Sequence, residues 1–171
     1  MPIYEINDLK PRIGDGTWVA PSADIIGDVT IGKNCYIGFG AVIRADFGPI
    51  IIGSESLIED SVVVHTATRT QIGNRVIVGH MAMIHDAVIR DRALIGMKAM
   101  ICEGAVIGAD AIVAEQALVR KNQEIPPAKI YGGAPAEFIK EATKKHQEML
   151  GEGIAAYMDL LKLYKRTFKE P

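Results

Sequence analysis

Several kinds of residue are scarce, and each scarcity excludes something. Aromatic residues are only 6% of the 171, so aliphatic side chains must carry the core. Two cysteines, Cys35 and Cys102, are too few for a disulfide scaffold, and Cys35 reads as a core thiol. Neither sign of charge dominates: 19 Lys and Arg against 21 Asp and Glu leave a net charge near −2, which argues against nucleic acid as a partner. No apolar run approaches the roughly 20 residues of a membrane span. Met1-Pro2-Ile3-Tyr4-Glu5 lacks the charged and apolar regions of a signal peptide, so a cytoplasmic chain with no membrane partner is expected. The length suits one domain.

What the sequence does have is a period. From Val19 to about Val119 an aliphatic residue recurs roughly every six positions, often followed by glycine, as in Ile31-Gly32, Ile37-Gly38, Ile72-Gly73, Val78-Gly79 and Ile95-Gly96. Four residues after each aliphatic comes a small one, such as Ala23, Cys35, Ala41, Ala82, Ala99 or Ala117. A six-residue period fits neither an amphipathic helix nor an alternating strand. It marks a left-handed parallel β-helix of hexapeptides, three per turn, in which no repeat buries its face alone. The register slips at insertions around 47–51 and 67–71 and at a deletion near Val88. Every third repeat then falls on one face: Ile25, Ile43, Val64, Ile84, Ile101 and Val119. The next residue on each rung is Ile26, Arg44, His65, His85, Cys102 and Arg120, a column of ligand-capable side chains.

Neighbouring rungs of a sheet lie about 4.8 Å apart, so His65 and His85 are expected to stack. Zinc–nitrogen bonds of about 2.0–2.1 Å let two such imidazoles converge on one ion. His80 follows Val78 on the preceding side of the same turn, with a corner between it and the pair. A trimer would bring His80 of one chain to the His65–His85 pair of the next, giving a three-histidine site with room for water. The competing reading is three unrelated surface histidines. Cys102, one rung above His85, is either a small filler or a thiol able to compete for metal.

Two segments flank the 19–121 coil. Residues 1–18 read as an extended lead-in ending at Thr17-Trp18, which could cap the open end. Within 122–171, Pro126-Pro127 and Tyr131-Gly132-Gly133-Ala134-Pro135 are turns, and helical spacing runs from Pro135 to about Phe168. Gly151-Glu152-Gly153 is expected to divide it into two helices packed on the coil or on a neighbouring subunit.

The hexapeptide core, Arg44-Ala45-Asp46, Glu59-Asp60, His65 and the His80-to-His85 pair resemble the γ-class carbonic anhydrases. The stretches from Pro2 to Asp46 and from Ile89 to Pro135 look like the phenylacetic-acid-degradation and carnitine-operon branch. The resemblance implies a homotrimer with Zn2+, or Fe2+, at each subunit interface on His65, His80 and His85. It also implies a small-molecule substrate, CO2/bicarbonate or an acyl thioester, attacked by a hydroxide. Arg44 and Asp46 would form an inter-subunit ion pair beside the metal, though such a pair can equally serve assembly. Asp60 would orient nearby groups, and the residue at 59 would hold or polarise the bound water.

The sequence departs from that pattern. Glu59 stands where the archetype has Gln, and is open to a role as base or as a hydrogen-bonding partner of Arg44. The loop Thr66-Ala67-Thr68-Arg69-Thr70-Gln71 has no carboxylate where the archetype carries a proton-shuttling glutamate, and Phe47 replaces an acidic residue. CO2 hydration releases a proton in every turnover, so weak hydration is expected. Two other classes fit the same repeat: an acyltransferase using acyl-CoA and a catalytic histidine without metal, and a non-catalytic trimer locked by metal.

Overall fold

The computed structural model describes residues 3–169; Met1, Pro2, Glu170 and Pro171, which belong to the terminal segments above, lie outside the described residues. The hexapeptides wind into the left-handed parallel β-helix that their period implies, with about seven turns and one C-terminal helix. Among the described residues no helix is long and apolar enough to cross a membrane.

The coil has three faces. The first is built from 24–27, 42–45, Val63–His65, Met83–His85, Met100–Ile101 and Leu118–Val119. The second is built from Arg12–Ile13, 29–31, 50–52, Thr70–Ile72, Val88–Ile89, Val106–Ile107 and Glu124–Ile125. The third runs from Trp18–Val19 through Tyr36–Ile37, Leu57–Ile58, Ile77–Val78, Leu94–Ile95 and Ile112–Val113 to Lys129–Gly132. Strand pairing thus also takes in residues before 19 and after 121, beginning with Ile3 opposite Ile25.

The register follows the six-residue period. Ile43 pairs with Ile25 and Val64, and Ile84 with Val64 and Ile101. All of these are fully buried in one continuous core. Each buried aliphatic contributes roughly 1.5–3 kcal/mol, and each rung is stabilised only by its neighbours. The glycine after the aliphatic is a packing requirement: a Cβ on Gly53 would lie 2.5 Å from the backbone of Gly73 one rung on. The insertion is a bulge of residues 46–49 within the continuous strand Val42–Ile52, unpaired at the corner between the first and second faces. Pairing resumes with Ile50 opposite Thr70, so the two insertions stack, with a Cβ on Gly48 meeting Thr68.

The C-terminal segment differs from expectation. Pro135 does not start a helix. The chain turns back there, and Glu137–Glu141 pairs antiparallel with Lys129–Gly132, leaving Phe138 and Ile139 exposed rather than on a buried helical face. The helix, α1, is Lys144–Thr167 and begins where the Thr143 amide donates to His146 Nδ1 at 3.0 Å. Gly151 and Gly153 do not divide it. Each glycine costs about 1 kcal/mol in a helix. Burial of Leu150, Ile154 and Leu161 on the third face outweighs that. A Cβ at Gly153 would meet Ile77 at an ordinary 3.7 Å, so packing does not demand glycine there. Trp18 does not lie across the end of the coil. It stacks on Tyr36 at 5.3 Å between ring centroids and on Tyr164 of α1 at 4.7 Å.

Candidate metal centre

The ladder of the first face sets Arg44, His65 and His85 side by side, with Arg44 opposite His65 and His65 opposite His85. The two imidazoles lie 5.2 Å apart between centroids, tilted by 51°. Asp46, two residues beyond Arg44 on the same strand, forms an ion pair with it and brings Oδ2 to 3.4 Å from His65 Nε2 without hydrogen-bond geometry. Within the chain, Arg44 and Asp46 thus pair with each other. Two buried polar atoms of this patch have no hydrogen-bond partner, His65 Nε2 and Asp46 Oδ1. An orphaned buried nitrogen normally costs about 1–3 kcal/mol. Imidazole nitrogen with carboxylate oxygen is a donor set that zinc and iron accept, so the residues fit a cation.

His80 lies around the corner, at the end of the third face, and its environment differs. Its amide donates to Glu59 Oε2 at 3.1 Å, and its Nε2 is 3.2 Å from the same oxygen. Its Nδ1 accepts the Asp60 amide at 3.2 Å and is 3.7 Å from Asp60 Oδ2. The sequence-derived residues thus fall into two groups, Arg44–Asp46–His65–His85 and Glu59–Asp60–His80. Among the described residues no cluster of three His, Cys, Asp or Glu side chains is arranged to hold a metal ion.

Three contributors were not foreseen. The Tyr36 hydroxyl donates to Asp60 Oδ1 at 3.3 Å, and Tyr157 of α1 faces Glu59. Burial, then the negative charge of Asp60 or Glu59, pushes both phenols well above their ordinary range. Asp86 follows His85 and is almost wholly buried. Burial raises its carboxyl, but hydrogen bonds from Thr66, Thr68 and Ala67 outweigh that and hold it below the usual value. Adjacency to His85 was a signal for Asp86. Tyr157 gave none, because only the docking of α1 brings it there, whereas Tyr36 reaches Asp60 from the neighbouring rung of the coil.

A parallel coil with stacked histidines on one face defines a hexapeptide-repeat protein. Residues 10–45 and 86–121 match the family model described as Bacterial transferase hexapeptide (six repeats), and 28–65 match Hexapeptide repeat of succinyl-transferase. The "Probable carbonic anhydrase" of Methanocaldococcus jannaschii is 44% identical over 144 residues, covering 83% of this chain and 91% of that protein. Gamma carbonic anhydrase 2, mitochondrial, of Arabidopsis thaliana is 35% identical, covering 95% of this chain and 61% of its own length. The carnitine operon protein CaiE of Escherichia coli O7:K1 is 33% identical, with 88% and 84% covered. A solved hexapeptide transferase family protein from Anaplasma phagocytophilum superposes with a TM-score of 0.92 at 29% identity, covering 95% and 98%. The chain belongs to the hexapeptide-repeat family that includes the γ-class carbonic anhydrases and the CaiE proteins. It spans about three fifths of the length of the plant relatives it matches.

Proposed function

We propose that the protein is a metal-dependent enzyme of γ-carbonic-anhydrase type that works as a homotrimer. His65 and His85 of one subunit and His80 of the partner subunit would hold one Zn2+ or Fe2+ at each interface. The substrate would be CO2/bicarbonate or an acyl thioester. The observation that carries this is the orphaned His65 Nε2 beside His85, while the third histidine, His80, lies around the corner in a separate group. The outward row of the first face adds support. It is apolar, running Val42, Val63, Met83, Met100 and Leu118, and Met81 and Met97 nearby are about half exposed. Such a stripe on a coil's outer surface is suited to burial against another subunit.

A bound Zn2+ or Fe2+ would supply a water acidic enough to react near neutral pH. The chain's own groups do the rest. Binding through His80 Nε2 would exchange that nitrogen's contact with Glu59 for the cation and would require the ring proton to move to Nδ1. Nδ1 would then release the Asp60 amide and turn to Asp60 Oδ2, 3.7 Å away. Glu59, still held by the His80 amide and faced by Tyr157, is then free to accept a proton. Arg44, half exposed and fixed by Asp46, offers a cation to an anionic product. Phe47, 73% exposed and 6.2 Å from the His65 ring, makes the approach apolar and favours an acyl group over a hydrated ion.

Metal analysis of anaerobically purified protein, followed by CO2-hydration and thioester-hydrolysis assays, tests the reading. About one metal per chain is expected, lost together with turnover in His65→Ala. The transferase names of the matched models support the alternative of an acyl-CoA-dependent acyltransferase. Metal-free wild-type protein that transfers an acyl group from acyl-CoA would establish that alternative and overturn the proposal.

A further inference from the structure

The turn after His85 carries a buried carboxylate with an unusual set of partners. Asp86 Oδ1 accepts four hydrogen bonds: from the Thr66 hydroxyl at 2.6 Å and from the amides of Ala67, Thr68 and Arg69 at 2.8, 2.9 and 3.2 Å. Three successive amides aimed at one oxygen form a concave nest of the kind that takes up external anions. Here an anion from the protein's own next rung fills it.

The same residue reaches both histidine rungs. Its amide donates to the His65 carbonyl at 3.3 Å, and that carbonyl also accepts the Thr70 hydroxyl at 3.2 Å. Its own carbonyl accepts the Gly104 amide one rung on at 2.8 Å, and its Oδ2 lies 3.9 Å from His85 Nδ1. The sheet ladder fixes the backbone spacing of His65 and His85 but not the tilt of their rings, which are 17% and 32% exposed. The insertion begins directly after His65, so an untethered 66–69 would leave that end of the rung free to move.

We propose that Asp86 is the positioning residue of the His65–His85 pair. By gathering residues 66–69 around one carboxylate oxygen, it fixes the separation and tilt of the two imidazoles. The purpose of this arrangement rests on the metal-site reading; its geometry does not. One consequence is that the amides of 67–69 are unavailable to a carboxylate or bicarbonate, which leaves Arg44 as the cationic group beside His65.

The test compares wild type with Asp86→Ala, Asp86→Asn and Thr66→Val. Three quantities are read: amide exchange at 67–69 and ring–ring NMR cross-peaks between His65 and His85, both in metal-free protein, and the Zn2+ dissociation constant by chelator competition. In Asp86→Ala, protection at 67–69 and at least half of the cross-peak intensity are lost, and Zn2+ binds about 10–100-fold more weakly. Asp86→Asn keeps the acceptor oxygen and recovers most of all three. Thr66→Val, lacking one donor of the four, falls between. Cross-peaks and Zn2+ affinity that stay at wild-type level in Asp86→Ala would overturn the proposal, as would an Asp86→Asn as impaired as Asp86→Ala. Where Asp86→Ala does not fold, a Thr66→Val indistinguishable from wild type in both readouts overturns it. Wild-type protein that binds no Zn2+ sinks the metal-site reading instead, and the cross-peaks alone then decide the role of Asp86.

Discussion

Mixing two variants that are each unable to complete a site tests where the third ligand comes from. His80→Ala retains the His65–His85 pair, which the ladder holds opposite each other on the first face. His65→Ala/His85→Ala retains His80, which sits around a corner with Glu59 and Asp60. In a cyclic trimer each interface takes the pair from one chain and His80 from the next. At equal mixing about a quarter of the interfaces therefore join a pair-bearing chain to a His80-bearing chain in the correct order. None of these substitutions touches the inward aliphatics, so both chains should fold and assemble. The assay is metal content after co-expression or joint refolding, normalised to wild type. The shared-site model requires about 25% of wild-type metal in the mixture and almost none in either parent. A mixture that binds no more than the mean of its parents would show that each metal lies within one chain, and the interface model would fall.

Three further outcomes follow from the same geometry. Ile84→Ala, which empties a fully buried position between Val64 and Ile101, should lower stability by about 2–5 kcal/mol, read from a urea midpoint, and loosen the adjacent His85; a loss under 1 kcal/mol would contradict a close-packed coil. CO2 hydration should be slow in dilute non-shuttling buffer and rise with added imidazole, because residues 66–71 offer no proton carrier near neutral pH; fast hydration without imidazole would point to Glu59 as an efficient shuttle. The raised phenols of Tyr36 and Tyr157 favour the fold fully below the unfolded-state value of about 10 and lose that contribution as pH rises past it, so stability should fall above about pH 10 and fall less in Tyr36→Phe/Tyr157→Phe; equal alkaline loss in both proteins would refute the assignment.

The coil and the His65–His85 stack were legible because both depend on counting alone. Once Ile43, Val64, Ile84 and Ile101 are known to point inward, the residue after each must point outward on the same face. The C-terminal segment was not legible in this way. Phe138 and Ile139 fit a helical stripe, yet backbone pairing of Tyr131 with Phe138 prevails. Glycine at 151 and 153 reads as a break only while the burial of Leu150 and Ile154 on the third face is unknown. Tyr157 at Glu59 depends on a helix docking roughly a hundred residues away in sequence, which no local period encodes. The role of Asp86 is invisible to the six-residue period because its partners lie in the 66–69 insertion, which interrupts that period.

The overhanging corner between the first and second faces separates two properties that most enzymes must adjust together. Residues 47–49 and 66–69 project outside the ladder, while Ile50 and Ile52 rejoin the core as though nothing had been inserted. Lengthening, shortening or recharging these segments therefore leaves the stacked aliphatics untouched. A descendant of this chain could exchange an apolar rim for an acidic one without losing its scaffold. Because the two overhangs lean on each other through Gly48 and Thr68, such exchanges should come in pairs, one on each rung. The coil supplies a fixed frame for the histidines, and the rim is the part on which selection can act quickly.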